Sequence, residues 1–102
     1  MKNITLIVHA DVEQAFADVL RGLLRVQGFT FAPVEGHGPQ DDRDPLLSAR
    51  DRVVGYTPQV RVDLVFRDED LGSVLEALRA SNCGITGRCV YWVTTIGSFG
   101  RI

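Results

Sequence analysis

The sequence has few of the residues that build disulfide or metal scaffolds. Its 102 residues include only two cysteines and two histidines. Cys83 and Cys89 have neither the CxxC spacing of a redox motif nor the spacing of a recognisable zinc site, so we expect two reduced, partly buried thiols. A copper or zinc site that combined them with His9 and His37 would have to be assembled from distant segments.

A strong charge of one sign and a long apolar run are also missing. The 11 basic and 13 acidic residues give a net charge of -2 and are spread along the chain, so nucleic acid is an unfavourable partner. No window approaches the ~18 apolar residues of a membrane span. Met1 to Val8 lacks the charged start and long apolar run of a signal peptide, which predicts a cytoplasmic protein.

Catalytic constellations are equally sparse. Ser48 and Ser98 have no histidine nearby in sequence that would pair with them. Asp41, Asp42 and Asp44 lie in a long polar stretch that we expect to be mobile, whereas paired catalytic carboxylates need a fixed separation. These observations predict that the protein is not an enzyme and has no catalytic residues.

What is present is a regular alternation of strand and helix patterns. A two-residue hydrophobic period, or a β-branched and aromatic run, predicts four strands: Lys2–His9, Phe29–Glu35, Gln59–Arg67 and Arg88–Thr94. One helix is predicted from an Asp11 N-cap to about Val26, where Gln27 and Gly28 end it. A second begins at Asp68–Asp70 and is stopped by Asn82-Cys83-Gly84.

This order, βαββαβ, predicts an α+β fold of the ferredoxin-like type, with two helices on one face of a four-stranded antiparallel sheet. We expect residues 1–102 to form one domain. The other face of the sheet would be rich in apolar residues and would need a partner, which predicts association through the sheet. The residues predicted to line that face are Thr5, Ile7, His9, Thr30, Ala32, Val34, Val65, Cys89, Tyr91 and Val93.

The polar, charge-mixed segment at about residues 41–57 is long for a loop in so compact a domain. Loops of this length are usually functional or disordered. We therefore expect it to be flexible and to carry part of the function.

Several segments together resemble the PII-like signalling proteins. Gly28-Phe29-Thr30 followed by Gly36-His37-Gly38-Pro39-Gln40 is similar to the G-x-T strand and GFGxQ turn of that family. Residues 50–65 (RDRVVGYTPQVRVDLV) resemble the exit from its T-loop into the third strand. Gly87-Arg88 stands where the family has a Gly-Lys pair. The resemblance covers nearly the whole chain.

The resemblance implies a homotrimer that binds an adenine nucleotide in the clefts between subunits. Thr30 and Val65 would then lie against the adenine. The phosphates would be met from two sides by the remaining matched positions, which are Gly36, His37, Gly38, Gln40, Gly87, Arg88 and Arg101. Glycine allows a close approach of the backbone to an anion, and arginine offers a forked donor to phosphate.

Three departures from the family pattern limit which ligands and which covalent modification the resemblance implies. Phe99 replaces one of two C-terminal arginines, so ADP or AMP is favoured over ATP. Gln59 replaces the lysine that pairs with 2-oxoglutarate, which argues against that effector. Arg52 stands at the position of the modified T-loop tyrosine, so that covalent switch is absent.

The Gly36-His37-Gly38 turn and the C-terminal segment resemble two divergent branches of the family. One is associated with carboxysomes and bicarbonate transport, and it implies bicarbonate as a second ligand and a membrane transporter as the partner of the T-loop. For that small anion we predict Gln40, Gln59 and Arg61. The alternative branch accompanies heavy-metal efflux and implies copper or zinc held by His and Cys.

Overall fold

Four strands and two helices follow one another in the predicted order. The computed structural model describes residues 1–23, 26–37, 57–85 and 88–102. Its strands are β1 (Lys2–His9), β2 (Val26–Gly36), β3 (Thr57–Phe66) and β4 (Val90–Thr95). Its helices are α1 (Glu13–Arg21) and α2 (Leu71–Arg79), and a short 3-10 turn precedes each, at Ala10–Val12 and Asp68–Asp70. The predicted ferredoxin-like βαββαβ arrangement is confirmed.

The strands form one antiparallel sheet in the order β2-β3-β1-β4. In the centre of the sheet, Ile4 of β1 lies opposite Leu64 of β3 and Leu6 lies opposite Val62. β2 and β4 are the edge strands. Pro33, which has no N–H to give to a ladder, therefore lies in an edge strand, as its chemistry predicts.

The hydrophobic core lies between the sheet and the two helices. Alternate residues of β1 and β3 are almost completely buried, and Phe16 of α1 and Val74 of α2 pack into the same cluster. Phe16 also stacks on Phe31 of β2, with ring centroids 6.5 Å apart. Both helices thus cover the same face of the sheet, as predicted. The buried strand residues of this core are Ile4, Leu6, Val8, Val60, Val62, Leu64 and Phe66.

The first helix starts differently from the prediction. Asp11, predicted as the N-cap of a continuous helix, lies inside the 3-10 turn instead. The ring of His9 provides the cap, because its Nδ1 accepts a hydrogen bond of 3.1 Å from the backbone N–H of Asp11. An imidazole nitrogen can satisfy an exposed backbone donor in the same way as the usual capping oxygens.

The prediction that this helix runs to about Val26 is wrong. α1 ends at Arg21, and the N–H of Gly22 closes it on the carbonyls of Val19 and Leu20. Val26 already belongs to β2, where it lies opposite Phe66 of β3. Pairing with a buried central strand therefore overrides the helical spacing of the local sequence.

α2 also ends earlier than the sequence indicates. The N–H of Ala80 bonds to the carbonyl of Glu76 at 3.0 Å, and the helix stops there, before the predicted signal at Asn82-Cys83-Gly84. Asn82 and Gly84 have positive φ angles of 52° and 91°, so they shape the turn after the helix. Glycine and asparagine are the residues that tolerate this region best.

Strand boundaries shift by a few residues. β2 begins three positions before the predicted Phe29, β3 starts at Thr57 and β4 runs from Val90 to Thr95. The predicted loop at 41–57 lies outside the described residues, apart from Thr57 itself. The single-domain extent of 1–102 stays a prediction. Among the described helices, neither has the length and apolar character that a membrane crossing needs.

Candidate functional site

The side of the sheet away from the helices, which we call the open face, is one candidate surface. Strand alternation and the pairing register place on it polar side chains in the middle and apolar ones towards the β4 edge. Val90 and Trp92 of β4 are 63% and 43% exposed. Its positions include Asn3, Thr5, Ile7, His9, Gly28, Thr30, Ala32, Val34, Gln59, Arg61, Asp63, Val65, Val90, Trp92 and Thr94.

The predicted orientation of β4 was wrong. Tyr91 lies opposite Leu6 and Val93 opposite Ile4, so both are on the helix-covered face, while Trp92 is opposite Thr5 on the open face. Cys89, also predicted for the open face, packs against the core instead. The segment from Val90 to Thr94 has no polar–apolar alternation, so the sequence could not reveal which residues face the core. A shift of one residue in register reverses every side chain, and pairing with β1 decides the matter.

Asp63 organises the middle of the open face. Its Oδ1 accepts hydrogen bonds from the Thr5 hydroxyl at 2.7 Å and from the Asn3 amide nitrogen at 3.3 Å. Its Oδ2 lies 3.0 Å from Nε of Arg61. Thr5, directly across the ladder, is only 1% exposed. The carboxylate therefore joins β1 and β3 through side chains as well as through the backbone.

These contacts stabilise the charged forms of Asp63 and Arg61. Burial alone would raise the pKa of Asp63, but hydrogen bonds from Arg61, Thr5 and Asn3, together with the positive charge of Arg61, lower it below its ordinary value. The hydrogen bond to Asp63 and its negative charge raise the pKa of Arg61. Both groups are ionised at neutral pH.

Arg61 has a second partner across the open face. Its guanidinium carbon lies 6.0 Å from the ring centroid of Trp92, at the limit of a cation–π contact. We predicted that Arg61 would contact a small anion. With Asp63 on one side and Trp92 on the other, an incoming anion would have to share this guanidinium with an existing carboxylate. The anion role of Arg61 stays a prediction.

A second candidate region is the loop end of the sheet, where β1 and β2 end and β3 and β4 begin. Gly36 lies opposite Thr57 at this end, and a Cβ at position 36 would occupy the place of the Gln59 side-chain amide. His37 follows with its Nε2 3.1 Å from Oε2 of Glu35. The missing side chain at Gly36 thus gives Gln59 its space.

His9 and Arg88 lie at the same end. His9 is opposite Gln59 in the sheet. A small crevice is lined by His9 and Arg88, together with Val12 of the first 3-10 turn and Gly84 of the turn after α2. Arg88 is exposed. The fold therefore brings Gly36, Gln59 and Arg88, which are far apart in sequence, to one end of one sheet.

The predicted adenine contacts lie elsewhere. Thr30 and Val65 are on the open face, and Thr30 is about 20 Å from Gly36 along β2 at ~3.3 Å per residue. Arg101 is exposed in the C-terminal segment. Gly38, Gln40 and Gly87 are outside the described residues. Within a single chain the described members of this predicted set, such as Thr30 and Gly36, thus lie on separated parts of the surface, and the role of the whole set stays a prediction.

Sequence reasoning missed Asn3, Asp63 and Trp92 as members of the site. The alternation of β3 did carry a signal, because Arg61 and Asp63 are two positions apart and must share a face. Nothing in the sequence revealed that Asn3 would join them. Its Oδ1 is buried and has no hydrogen-bond partner among the described residues.

Cys83 and Cys89 are both partly buried and are not joined to each other in the structure. Cys83 lies 3.1 Å from the hydroxyl of Ser81, and burial raises the pKa of Cys89 to about 11. Among the residues that the structure describes, no group of three or more His, Cys, Asp or Glu side chains is arranged to hold a metal ion. The four side chains considered for copper or zinc are therefore not gathered into a candidate centre.

Comparison with known proteins gives concordant relationships. Residues 1–102 match the family described as "Protein of unknown function (DUF3240)". The nitrogen regulatory protein P-II of Rhizobium meliloti (strain 1021) is 36% identical over 78 residues, which is 76% of this chain. That of Rhizobium leguminosarum bv. viciae is 32% identical over 78 residues, covering 76% of this chain and 70% of the relative.

The similarity to the first of these relatives covers 63% of that protein's length. A crystal structure of a DUF3240 family protein from Shewanella baltica OS155 superimposes with a TM-score of 0.75 over 99% of this chain and 94% of the other. At 19% identity this superposition supports the fold alone.

Proposed function

Because the chain belongs to the DUF3240 family and is a divergent PII-like protein, we propose that it is a non-enzymatic regulatory protein that binds ADP or AMP between the subunits of a homotrimer. The observation that carries this proposal is the 32% identity with a nitrogen regulatory protein along 70% of that relative. The matched positions at the loop end and on the open face supply the candidate ligand contacts.

The open face supports association of like chains. It exposes Val90 and Trp92, and it leaves the buried Oδ1 of Asn3 without a donor among the described residues. A buried acceptor with no partner costs free energy. A second chain that covers this face would remove apolar surface from water and could bring a donor to Asn3.

The loop end supports phosphate binding. Gly36 has no side chain, Gln59 offers an amide beside it, and Arg88 provides an exposed positive charge at the same end of the sheet. These are the group types that bind an oxyanion without a metal. Thr30 and Val65, on the open face, would contact the adenine.

The finer parts of the proposal follow the PII-like resemblance. Bicarbonate would be the second ligand, with Gln40, Gln59 and Arg61 as its contacts. Residues 41–57 would transmit the bound state to a membrane transporter for inorganic carbon. Gly36 and Pro58 lie at the loop end of the sheet, near the two ends of this segment in sequence, so a ligand bound there has a direct route to influence it.

Calorimetric titration with AMP, ADP and ATP, each with and without bicarbonate, tests the ligand. We expect ADP or AMP to bind more tightly than ATP. Arg88→Ala and Arg101→Ala should each weaken binding by about 1.5–3 kcal/mol through the loss of a charge-assisted hydrogen bond. Arg21→Ala is the matched control, since Arg21 pairs with Asp18 on α1. Unchanged affinity in both test variants would remove these arginines from the site.

Light scattering tests the assembly separately. We expect the mass of a trimer at micromolar concentration, and dissociation in Trp92→Glu, which places a charge on the open face. A monomeric wild-type protein would contradict the intersubunit cleft. Hydrogen exchange across residues 41–57 tests the output: the exchange should slow when ADP and bicarbonate are present, and equal exchange in both states would mean that the signal leaves from another surface.

A further inference from the structure

The helix-covered side of the molecule contains a cavity that the proposed function does not use. It lies between β1, β4 and α2 and has a volume of about 390 Å³. Its walls are formed by Leu6, Leu75, Leu78 and Ile85. Ligand-binding cavities usually start at about 300 Å³ and have mainly apolar walls. This cavity therefore has the size and the lining of a small-molecule site.

Two polar groups stand on its wall. Nη2 of Arg79 lies 3.4 Å from the hydroxyl of Tyr91, so both groups converge on one side of the cavity. Arg79 is the last residue of α2 and is exposed. Among the described residues it forms no ion pair, and the Tyr91 hydroxyl is its one hydrogen-bond partner. The guanidinium thus keeps donors that can be given to a ligand.

The remaining wall residue carries no charge that would repel an anion. Burial raises the pKa of the Cys89 thiol to about 11, so it is neutral at pH 7. Its Sγ is 3.5 Å from the carbonyl of Val90, to which it can donate. The cavity therefore combines apolar walls, a neutral thiol, one hydroxyl and, at its rim, a guanidinium that pairs with no carboxylate of the described residues.

We propose that this cavity binds a small monocarboxylate with an apolar tail, whose carboxylate is held by Arg79 and Tyr91 and whose tail lies among Leu6, Leu75 and Leu78. A guanidinium can hold a carboxylate by two parallel hydrogen bonds, and the tyrosine hydroxyl can donate a third. An alcohol or amine with the same tail would gain the apolar contacts but not the charge-assisted ones.

The carboxylate-holding groups Arg79 and Tyr91 lie apart from the proposed adenine contacts and do not line the crevice beside Arg88, although Ile85 and Cys89 line both spaces. Tyr91 faces the helices, whereas its neighbour Trp92 lies on the open face. The adenine positions Thr30 and Val65 are on the open face as well. Loss of carboxylate binding should therefore leave ADP or AMP binding unchanged, and failure of the nucleotide proposal would leave the carboxylate prediction standing.

Octanoate is a suitable probe, with 1-octanol as the uncharged control. We expect calorimetry to show that octanoate binds wild-type protein at least ten-fold more tightly than 1-octanol. The methyl resonances of Leu75 and Leu78 should shift on addition of octanoate. Arg79→Gln should weaken octanoate binding about ten- to hundred-fold and leave 1-octanol binding nearly unchanged.

Two further variants keep the test decisive. Arg21→Gln removes the corresponding last arginine of α1, which does not line the cavity, and should bind octanoate like the wild type. Leu75→Trp should fill the half-buried wall and block both ligands. Thermal melts would establish that each variant is folded.

Equal binding of octanoate and 1-octanol by the wild type would overturn the charge recognition. So would octanoate affinity that is unchanged in Arg79→Gln. Absence of octanoate binding, with Leu75 and Leu78 resonances that shift only with protein concentration, would assign the cavity to a contact between copies of this chain and would also overturn the proposal.

Discussion

The two faces of the sheet use alternate residues of the same strands, yet they are stabilised in different ways. On the helix-covered face, residues such as Ile4 and Leu64 are completely buried among apolar neighbours. On the open face, Asp63 gathers Thr5, Asn3 and Arg61 by hydrogen bonds. One face therefore supplies most of the hydrophobic stability, and the other holds oriented polar groups that a partner or ligand can contact.

The largest expected difference in stability is between alanine substitutions of two neighbouring residues of β3 that face opposite sides of the sheet. Leu64→Ala should lower the free energy of unfolding by about 2–5 kcal/mol, because it empties space in the core. Val65→Ala, on the open face, should cost less than about 1 kcal/mol in the isolated chain. Urea unfolding at a fixed protein concentration measures both. A cost for Val65→Ala as large as that for Leu64→Ala would show that the open face is buried in an assembly.

An intermediate effect is expected at the centre of the open face. Asp63→Asn keeps the shape but removes the charge that Arg61 needs, and it presents an N–H₂ group to existing donors. We expect a loss of about 1–3 kcal/mol of unfolding free energy at pH 7, since a hydrogen-bonded charge pair is broken. Asp18→Asn, which breaks the exposed Asp18–Arg21 pair, is the control and should cost less.

The same comparison has a pH dependence of definite sign. The fold lowers the pKa of Asp63, so the folded protein binds a proton at this site more weakly than the unfolded chain does. The stabilisation is complete above the ordinary aspartate pKa of about 3.9 and is lost as the pH falls through the lower folded value. The difference between wild type and Asp63→Asn should therefore shrink in acid. A difference that stays constant from pH 7 to pH 2 would contradict the assigned role.

The smallest effect concerns the pair of Arg61 and Trp92. A double-mutant cycle with Arg61→Gln and Trp92→Leu should give a coupling free energy of about 0.5–1 kcal/mol, the value for an exposed cation–π contact. Urea unfolding of the four proteins supplies the cycle. A coupling of zero would mean that Trp92 is held on the open face by its apolar contacts alone.

The fold could be predicted well wherever one face of an element is buried. In β3, Val60, Val62 and Leu64 alternate with polar residues, so both the strand and its orientation followed from the sequence. In β4 the strand was predicted but its orientation was reversed, because Tyr91, Trp92 and Val93 are all acceptable on an apolar surface. The prediction of the end of α1 failed for a different reason. Val26 pairs with Phe66, which is distant in sequence, so the local pattern could not predict this contact.

The candidate site was less accessible to sequence reasoning. The family resemblance pointed to Gly36 and Arg88, and the fold does bring both to one end of the sheet. The Asp63 cluster, by contrast, depends on the register that places Thr5 of β1 opposite Asp63 of β3. Hydrophobic periodicity does not predict which polar residues of two strands become neighbours. The cavity beside Arg79 and Tyr91 depends on how α2 packs against β4, and the sequence pattern had predicted that Tyr91 would face away from the helices.

Pro33 makes the β2 edge of the sheet less able than the β4 edge to pair with another strand. A proline in an edge strand is tolerated because its missing donor can face away from the sheet, and such residues discourage a foreign strand from extending the ladder. The β4 border, from Val90 to Thr95, is rich in β-branched and aromatic residues and contains no proline. Under heat stress or during synthesis, it is therefore the β4 border that should recruit misfolded chains into aggregates, and a charge or proline introduced there is the change that should improve recovery of the folded protein.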